Sequence, residues 1–364
     1  MNESIHDLYD EPAAEEDEAM REEFDPEEDF DPEDEDGGEE FDLEAALAEL
    51  RGGTPGQDSE EEEGEVGPDF RSGFITLVGR PNAGKSTLTN AVVGTKVAIT
   101  SNTAQTTRHR LRAILDRDNL QMVLVDTPGI HKPHDALGEE LNRSALKGLE
   151  DVDVVAFLVD ASKPFGTGDE WVARQIAPVR ARKLLVITKV DKVGQDVVDA
   201  QIAAASQAGE WDQVVAVSAK TGFNVDGFVN AAAELLPFGP RWFPRGTTTD
   251  QPLEVLVAEA IREKVLLDTR DEVPHAVGVQ TDALEDDGRG GYEISCTVYV
   301  ERESQKGILI GRKGSMIKRI GSEARQDLER LLGAHVYLDL NVKVKKDWRR
   351  DAAQIRRFGY GEGA

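Results

Sequence analysis

The sequence predicts an α/β protein, a doubly wound and mostly parallel sheet followed by a small α+β domain. Three observations carry this. Between residues 74 and 236 short apolar runs alternate with helical stretches. Several of those runs are apolar throughout, as strands covered on both faces are. After a proline-rich break the order becomes helix, two strands, two helices, strand. Alternating strands and helices call for a parallel sheet with ligand loops at the strand C-termini, whereas the second order describes a separate unit.

The elements follow in order. FITLVG (74–79) is a short strand, and PNAGKSTLTNAVVG after it reads as a glycine-rich turn opening a helix. HRLRAILD (109–116) and LQMVLVD (120–126) form a strand pair around Arg117, Asp118 and Asn119. DVVAFLVD (153–160), KLLVITK (183–189) and VVAVSA (214–219) are buried strands. WVARQIAPV (171–179), AQIAAASQAG (200–209) and VDGFVNAAAELL (225–236) are helical. PFGPRWFPRGTTTDQP holds four prolines and reads as a linker. LEVLVAEAIREKVL (253–266) is a helix, and HAVGVQTDAL and GYEISCTVYVE are strands. Helices then flank IGRKG, and HVYLDLNVKVK (335–345) is the last strand. There are no internal repeats. The expected organisation is an acidic, mostly disordered tail (1–70), an α/β domain (71–237), a linker (238–252), an α+β domain (253–358) and a disordered C-terminus (359–364).

A chain of 364 residues suits about two domains. Its net charge of −29 is concentrated in the tail. Residues 1–70 hold 31 Asp/Glu against Arg21 and Arg51, and residues 71–364 hold 40 acidic and 40 basic side chains. So dense a like charge with so few apolar residues cannot offset the entropy of ordering. Within it, Phe41, Leu43, Leu47 and Leu50 approximate a helical stripe. That stripe reads as a fleeting helix in a solubilising tail, or as a partner-docking or phosphate-mimicking segment that competes for the basic domain. No apolar run approaches the ~20 residues that span a bilayer. MNESIHDLYDEP lacks the pattern of a signal peptide. The single cysteine, Cys296, cannot make an intrachain disulfide and reads as a small buried hydrophobe. A cytoplasmic protein is expected.

GRPNAGKS (79–86) has the G-x-x-x-x-G-K-[ST] spacing, after a strand and before a helix. Gly79, Arg80, Pro81, Asn82, Ala83 and Gly84 form the loop whose N–H groups turn onto phosphates at a helix N-terminus. Lys85 reaches the β- and γ-phosphates, Ser86 holds Mg²⁺, and Thr87 follows at the phosphate end. In DTPG and the residue after it, Asp126 holds Mg²⁺ through water, Gly129 senses a γ-phosphate, and Thr127, Pro128 and Ile130 are further expected nucleotide contacts. In TKVD, Thr188, Lys189, Val190 and Asp191 end a strand. The Asp191 carboxylate accepts both N1–H and the amino group of guanine, which adenine cannot offer, and Lys189 packs along the base and ties back to the phosphate loop. Ser218, Ala219 and Lys220 bring a backbone N–H to guanine O6. The expected ligands are GTP or GDP with Mg²⁺. A switch threonine must complete the metal site. Thr100, Thr103, Thr106 and Thr107 are candidates, with Thr107 favoured because it stands where the loop rejoins a strand. Lys85, Thr107 and Gly129 are the residues expected to act on the transferred phosphate.

ILIGRKGSMIKRIG (308–321) contains G-x-x-G with two basic residues. Gly311 and Gly314 allow close approach of a nucleic-acid backbone, Arg312 and Lys313 meet phosphates, and Ile308, Ile310 and Ile317 supply apolar groove surface. Residues 301–350 hold 13 basic and 7 acidic side chains. Lys343, Lys345, Lys346 and Arg349 extend the basic surface, and Trp348 either packs in the domain or serves for stacking or phosphate contact.

GRPNAGKS, AQTTRHR, DTPGIHKP and TKVD, followed by a GRKG-containing domain, resemble the Era family of bacterial GTPases over residues 72–358. The resemblance implies a P-loop GTPase fold with a type II KH domain, cycling between GTP and GDP, and Thr107 as the switch-I Mg²⁺ ligand. It implies binding near the 3′ end of 16S rRNA in 30S subunit assembly, and peripheral contact with the cytoplasmic membrane. A monomer is expected. Ile130 stands where a Ras-type GTPase has a water-orienting glutamine, so unaided hydrolysis should be slow. His131 is a candidate base that reads better as an exposed loop residue. The alternative is an RNA-binding module whose G domain senses nucleotide with negligible hydrolysis. A tRNA-modification or tandem-domain GTPase would need a C-terminal cysteine, a folate region or a second P-loop.

Overall fold

The computed structural model describes residues 66–360 except 102, 104, 105 and 131–134. The apolar stripe at 41–51, most of the acidic tail, His131 and residues 361–364 lie outside the described residues.

Six strands make the first sheet: β1 (Arg71–Gly79), β2 (Leu111–Arg117), β3 (Leu120–Asp126), β4 (Val154–Asp160), β5 (Arg182–Thr188) and β6 (Gln213–Ala216). Their order is β2-β3-β1-β4-β5-β6, all parallel except the β2–β3 pair. The helices are α1 (Lys85–Val93), α2 (Ala136–Lys147), α3 (Thr167–Ile176), α4 (Gln195–Ser206) and α5 (Val225–Leu235). Period-two alternation sorts each strand between two apolar layers. Ile75, Leu77, Ala156 and Leu158 meet Leu88 of α1 and Phe228 of α5. Val78, Val155, Phe157 and Val159 meet Ala145 of α2, Val172 of α3 and Val198 of α4. Both faces are covered, so β3 and β4 are buried from end to end. The chain leaves β1 toward β2 and β3 and returns across it to β4. That reversal opens the crevice at the C-terminal end of β1.

Helix α2 went unread in the sequence. Asp135 caps it, its side chain accepting from the Gly138 N–H at 2.8 Å. Leu137, Leu141 and Ala145, four residues apart, form its buried stripe. The proline-rich segment after α5 is not a free tether. Ile114 N–H donates to Thr248 O at 2.9 Å. Gln121 Oε1 accepts from Trp242 N at 2.7 Å and Phe243 N at 3.0 Å, and Arg241 pairs with Asp116 at 3.0 Å. The segment thus covers the edge strand β2.

The second sheet has the order β7-β8-β9, with β7 (Gly278–Asp286) antiparallel and β9 (His335–Val344) parallel to the central β8 (Gly291–Val300). Helices α6 (Leu253–Asp268), α8 (Glu303–Ile310) and α9 (Ser315–Leu332) join it, with short α7 (Val273–Ala276) and α10 (Ala352–Arg357) added to the expected order. Val257, Ile261 and Val265 of α6 pack with Ile320 and Leu328 of α9 over the inner face of the sheet. Cys296 is buried there, and desolvation pushes its thiol up to about 12.

Leu137 and Leu141 of α2 form a further cluster with Trp348, Ile355, Phe358 and Tyr360 from the end of the chain. Of the two readings of Trp348, packing holds. Its indole is fully buried, donates Nε1–H to Ala276 O at 2.9 Å and meets the Phe358 ring edge-on at 4.8 Å. It packs and cannot stack on a base. Among the described residues no helix is long and apolar enough to cross a membrane.

Candidate functional site

β1 ends at Gly79, and the loop after it turns through Asn82 at φ 64° into Gly84 at φ 98°, the N-cap of α1. That left-handed geometry suits glycine. A side chain at Gly79 would put its Cβ 2.6 Å from Leu158 O. No side chain caps α1, so its first-turn N–H groups remain for an anion. A cleft of about 380 Å³ opens over this turn, lined by Pro81, Asn82, Gly84, Lys85, Ser86 and Thr87.

Three oxygens converge at its floor. Ser86 Oγ lies 2.9 Å from Thr107 Oγ1 and 2.6 Å from Asp126 Oδ2, which is 3.4 Å from Thr107 Oγ1. Asp126 is buried, and its Oδ1 has no hydrogen-bond partner among the described residues. An orphaned carboxylate oxygen beside two hydroxyls is a hard-oxygen donor set that fits Mg²⁺. Burial pushes Lys85 below and Asp126 above their usual ranges, and the Coulomb attraction between them opposes both shifts. Of the four candidate threonines, only Thr107 joins this group among the described residues. Thr100 gives its N–H to Glu263 at 2.9 Å, and Thr106 donates its hydroxyl to Thr103 O at 2.6 Å.

The far end of the cleft holds Lys189, Asp191, Ala219 and Lys220. Lys189 Nζ donates to Asn82 O at 2.5 Å and Asp160 Oδ2 at 2.7 Å, tying the base end to the phosphate loop. Asp191 Oδ1 accepts the buried Ser218 hydroxyl at 2.6 Å, which fixes the carboxylate plane. Thr188 supports the loop by donating Oγ1–H to Ala83 O at 2.7 Å, and Val190 N–H reaches Val217 O at 3.4 Å. Asp160 and Lys192, which lines the cleft, were missed. Asp160 had a signal, a carboxylate ending a buried strand beside the phosphate loop.

Some expected ligands stand behind the cleft. Arg80 pairs with Asp169 at 3.1 Å, and Thr127 donates Oγ1–H to Leu77 O at 2.8 Å. Ala83 and Pro128 are buried. Gly129 lines the cleft, and a Cβ there would lie 2.9 Å from Pro81 Cα. Ile130 is 1 % exposed and packs with Val78 and Ala145. Ile130→Ala is therefore expected to leave GTP turnover within about tenfold, ~1.4 kcal/mol of barrier. It should cost about 2–5 kcal/mol of stability through the cavity it leaves. Phosphate release and thermal melting on one preparation separate the two effects. A turnover loss of several orders of magnitude in folded protein would show that the side chain shapes the switch.

The second candidate surface lies on the α+β domain. α8 stops at Ile310, and the chain turns through Gly311 (φ 72°), Lys313 (φ 52°) and Gly314 (φ 77°) into α9. A Cβ at Gly311 would sit 2.7 Å from Met316 Cβ. Arg312 and Lys313 are exposed, Ile308 is half exposed, and Ile310 and Ile317 are half-buried. The other basic residues are less available. Lys345 Nζ lies 5.4 Å over both the Tyr299 and Phe358 rings, and Arg349 bridges Glu301 at 2.6 Å and Asp135 at 3.6 Å. Lys343 is exposed on the face of β9 opposite the helices, since Leu340, of the other parity, faces Gly321 of α9. Lys343 and Lys346 are thus the two of these four that are exposed without an obstructing partner among the described residues. The sequence pattern marked charge and could not mark the ion pairs that consume it.

A family model described as "50S ribosome-binding GTPase" matches residues 74–189, and a KH-domain model matches residues 272–349. GTPase Era of Mycobacterium avium (strain 104) is 48% identical over 297 residues, 80% of this chain and 99% of that protein. GTPase Era of Mycolicibacterium smegmatis is 46% identical over the same length and shares. A crystal structure of Era in complex with MgGDPNP and nucleotides 1506–1542 of 16S ribosomal RNA superposes with a TM-score of 0.78 at 39% identity, covering 80% of this chain and 99% of that one. A single-residue variant of Aquifex aeolicus Era bound to GDP and AlF₄⁻ gives 0.76 at 38%, covering 80% and 100%.

Proposed function

Because the chain belongs to the Era family of GTPases, we propose that its GTP cycle governs capture of 16S ribosomal RNA during assembly of the 30S subunit. The observation that carries the proposal is that Ser86, Thr107 and Asp126 converge in a chain that also presents a bare G-x-x-G loop.

The residues divide the work. The N–H groups opening α1 and the buried Lys85 ammonium hold the phosphates. Ser86, Thr107 and Asp126 would hold Mg²⁺, which would supply charge neutralisation at the phosphates. Asp191 reads the guanine edge, with Ser218 fixing its orientation and Lys189 under the base. Ile130 faces the core and its apolar side chain cannot orient the attacking water by hydrogen bonding, so another group or the switch backbone must do so. Slow unaided hydrolysis follows. On the other domain, Arg312 and Lys313 meet the RNA backbone while Ile308, Ile310 and Ile317 contact bases.

The test pairs two measurements on full-length protein. Phosphate release should be detectable yet well below the ~1–10³ s⁻¹ of typical enzymes. A labelled 3′-terminal 16S fragment should bind more tightly than a scrambled fragment of equal length, with an affinity that differs between GTP-analogue and GDP forms. No release above a Lys85→Ala control, or equal affinity for the scrambled RNA, would overturn the reading.

A further inference from the structure

Thr107 is held from both sides by the α+β domain. One peptide bond before it, the Thr106 carbonyl accepts a hydrogen bond from Arg262 Nη2 on α6. One residue after it, Arg108 crosses into the other domain and donates to Val277 O at 2.5 Å, His275 O at 3.1 Å and Pro274 O at 3.4 Å. Both guanidinium groups are buried, at 0 % and 1 % exposure. Arg262 is fixed in turn by Glu259, one helical turn earlier, through Nε–Oε1 at 2.8 Å and Nη2–Oε2 at 2.7 Å. Such a forked pair holds a guanidinium in one plane. Next on the same face of α6, Glu263 takes the Thr100 N–H at 2.9 Å and the Lys96 ammonium at 2.5 Å. Ile99 completes the attachment by packing into the α+β core.

Burying two arginines is costly unless their donors are used. Arg262 spends its Nη2 and Nε donors on the Thr106 carbonyl and Glu259. Arg108 spends both Nη groups on three carbonyls of the α+β domain, while Arg262 Nη1 and Arg108 Nε have no hydrogen-bond partner among the described residues. We propose that Arg262 and Arg108 are positioning residues for the Mg²⁺·GTP site. The α+β domain sets the chain on either side of Thr107 and so brings its hydroxyl against Ser86 and Asp126. The inference rests on the reading of Thr107 as a metal ligand. Displacements of about 1 Å are enough to impair such a site. In GTPases the γ-phosphate and Mg²⁺ order this switch and GDP releases it, so the clamp bears on GTP affinity and leaves GDP affinity alone. By reciprocity, bound GTP tightens the seat of the switch on α6.

The experiment measures affinities of full-length protein for GDP and a non-hydrolysable GTP analogue in excess Mg²⁺, with melting curves to certify folding. Arg262→Met is combined with Glu259→Gln so that no buried carboxylate is stranded. Arg108→Met is the independent second variant. Each should lower the ratio of GTP-analogue to GDP affinity at least tenfold while GDP affinity stays within about twofold, since neither arginine lines the nucleotide cleft. In a Thr107→Ala background, the same changes should have no further effect, the non-additivity of groups acting through one another. An unchanged ratio in folded variants, or equal loss of both affinities, overturns the proposal. Thr107→Ala alone is the control for the underlying reading. If it leaves the ratio intact, Thr107 is not the ligand; if it lowers the ratio and the arginine variants do not, only the clamp is wrong.

Discussion

Asp191→Asn is expected to turn nucleotide preference from GTP toward xanthosine triphosphate. The Asp191 carboxylate stands at the far end of the cleft, with Oδ1 accepting the Ser218 hydroxyl at 2.6 Å. An ionised carboxylate only accepts, which suits the two adjacent donors on the guanine edge. An amide keeps one acceptor and gains one donor, which suits the N1–H and the additional carbonyl of xanthine. Guanine would then press its amino group against an amide N–H, leaving both unpaired. Sites built around such bonds reject a mismatched partner by roughly 10⁴–10⁵-fold, so GTP affinity should fall by at least about 10³-fold and xanthosine triphosphate should overtake it. Asn can still accept from Ser218, so the fold should survive. Competition of both nucleotides against a fluorescent GDP measures the switch. A variant that keeps the wild-type preference would displace Asp191 as the base-reading residue.

Charge reversal at the G-x-x-G turn should have an effect of comparable size on the other ligand. Arg312→Asp with Lys313→Asp is expected to weaken binding of single-stranded RNA by about 100-fold or more, since like charges juxtaposed at an interface cost several kcal/mol. Both side chains are exposed, and no ion pair engages either among the described residues, so reversal removes no native contact. Lys313 sits at φ 52°, a conformation in which Asp is enriched, so the backbone should hold. Without these two cations on the phosphates, the log–log salt slope should flatten by roughly 1.4, at ~0.7 for each phosphate no longer neutralised. GTP turnover without RNA should be unaffected, because the turn lies outside the nucleotide cleft. Titration of labelled RNA at two salt concentrations reads both quantities. Unchanged affinity would sink the KH interface.

The nucleotide site was legible because its chemistry is local. A glycine-rich turn between strand and helix, and short polar strings at strand ends, each carry their role within a few residues. The strands of the first sheet were legible as buried apolar runs, whereas their order in the sheet came from the fold. What stayed unread depends on distant partners. Trp348 and Lys345 look like nucleic-acid contacts in KVKKDWRR, and only the fold reveals Phe358 and Tyr299 against them. Arg349 is spent on Glu301 and Asp135, the latter more than 200 residues away. The proline-rich stretch carries linker composition, yet Gln121 and Asp116 hold it down. Arg262 had no motif to announce it, since it acts through the backbone of a distant residue.

The cluster of Leu137 and Leu141 with Trp348, Phe358 and Tyr360 has a consequence for synthesis. Helix α2 emerges from the ribosome about 200 residues before the aromatic side chains that cover it. At ~5–20 residues per second, that apolar stripe waits roughly 10–40 s for its partners. The nascent α/β domain is open on that flank throughout, and a chain that ends before Trp348 never closes it. Removal of residues 348–360 would therefore leave Leu137 and Leu141 without the aromatic side chains that bury them.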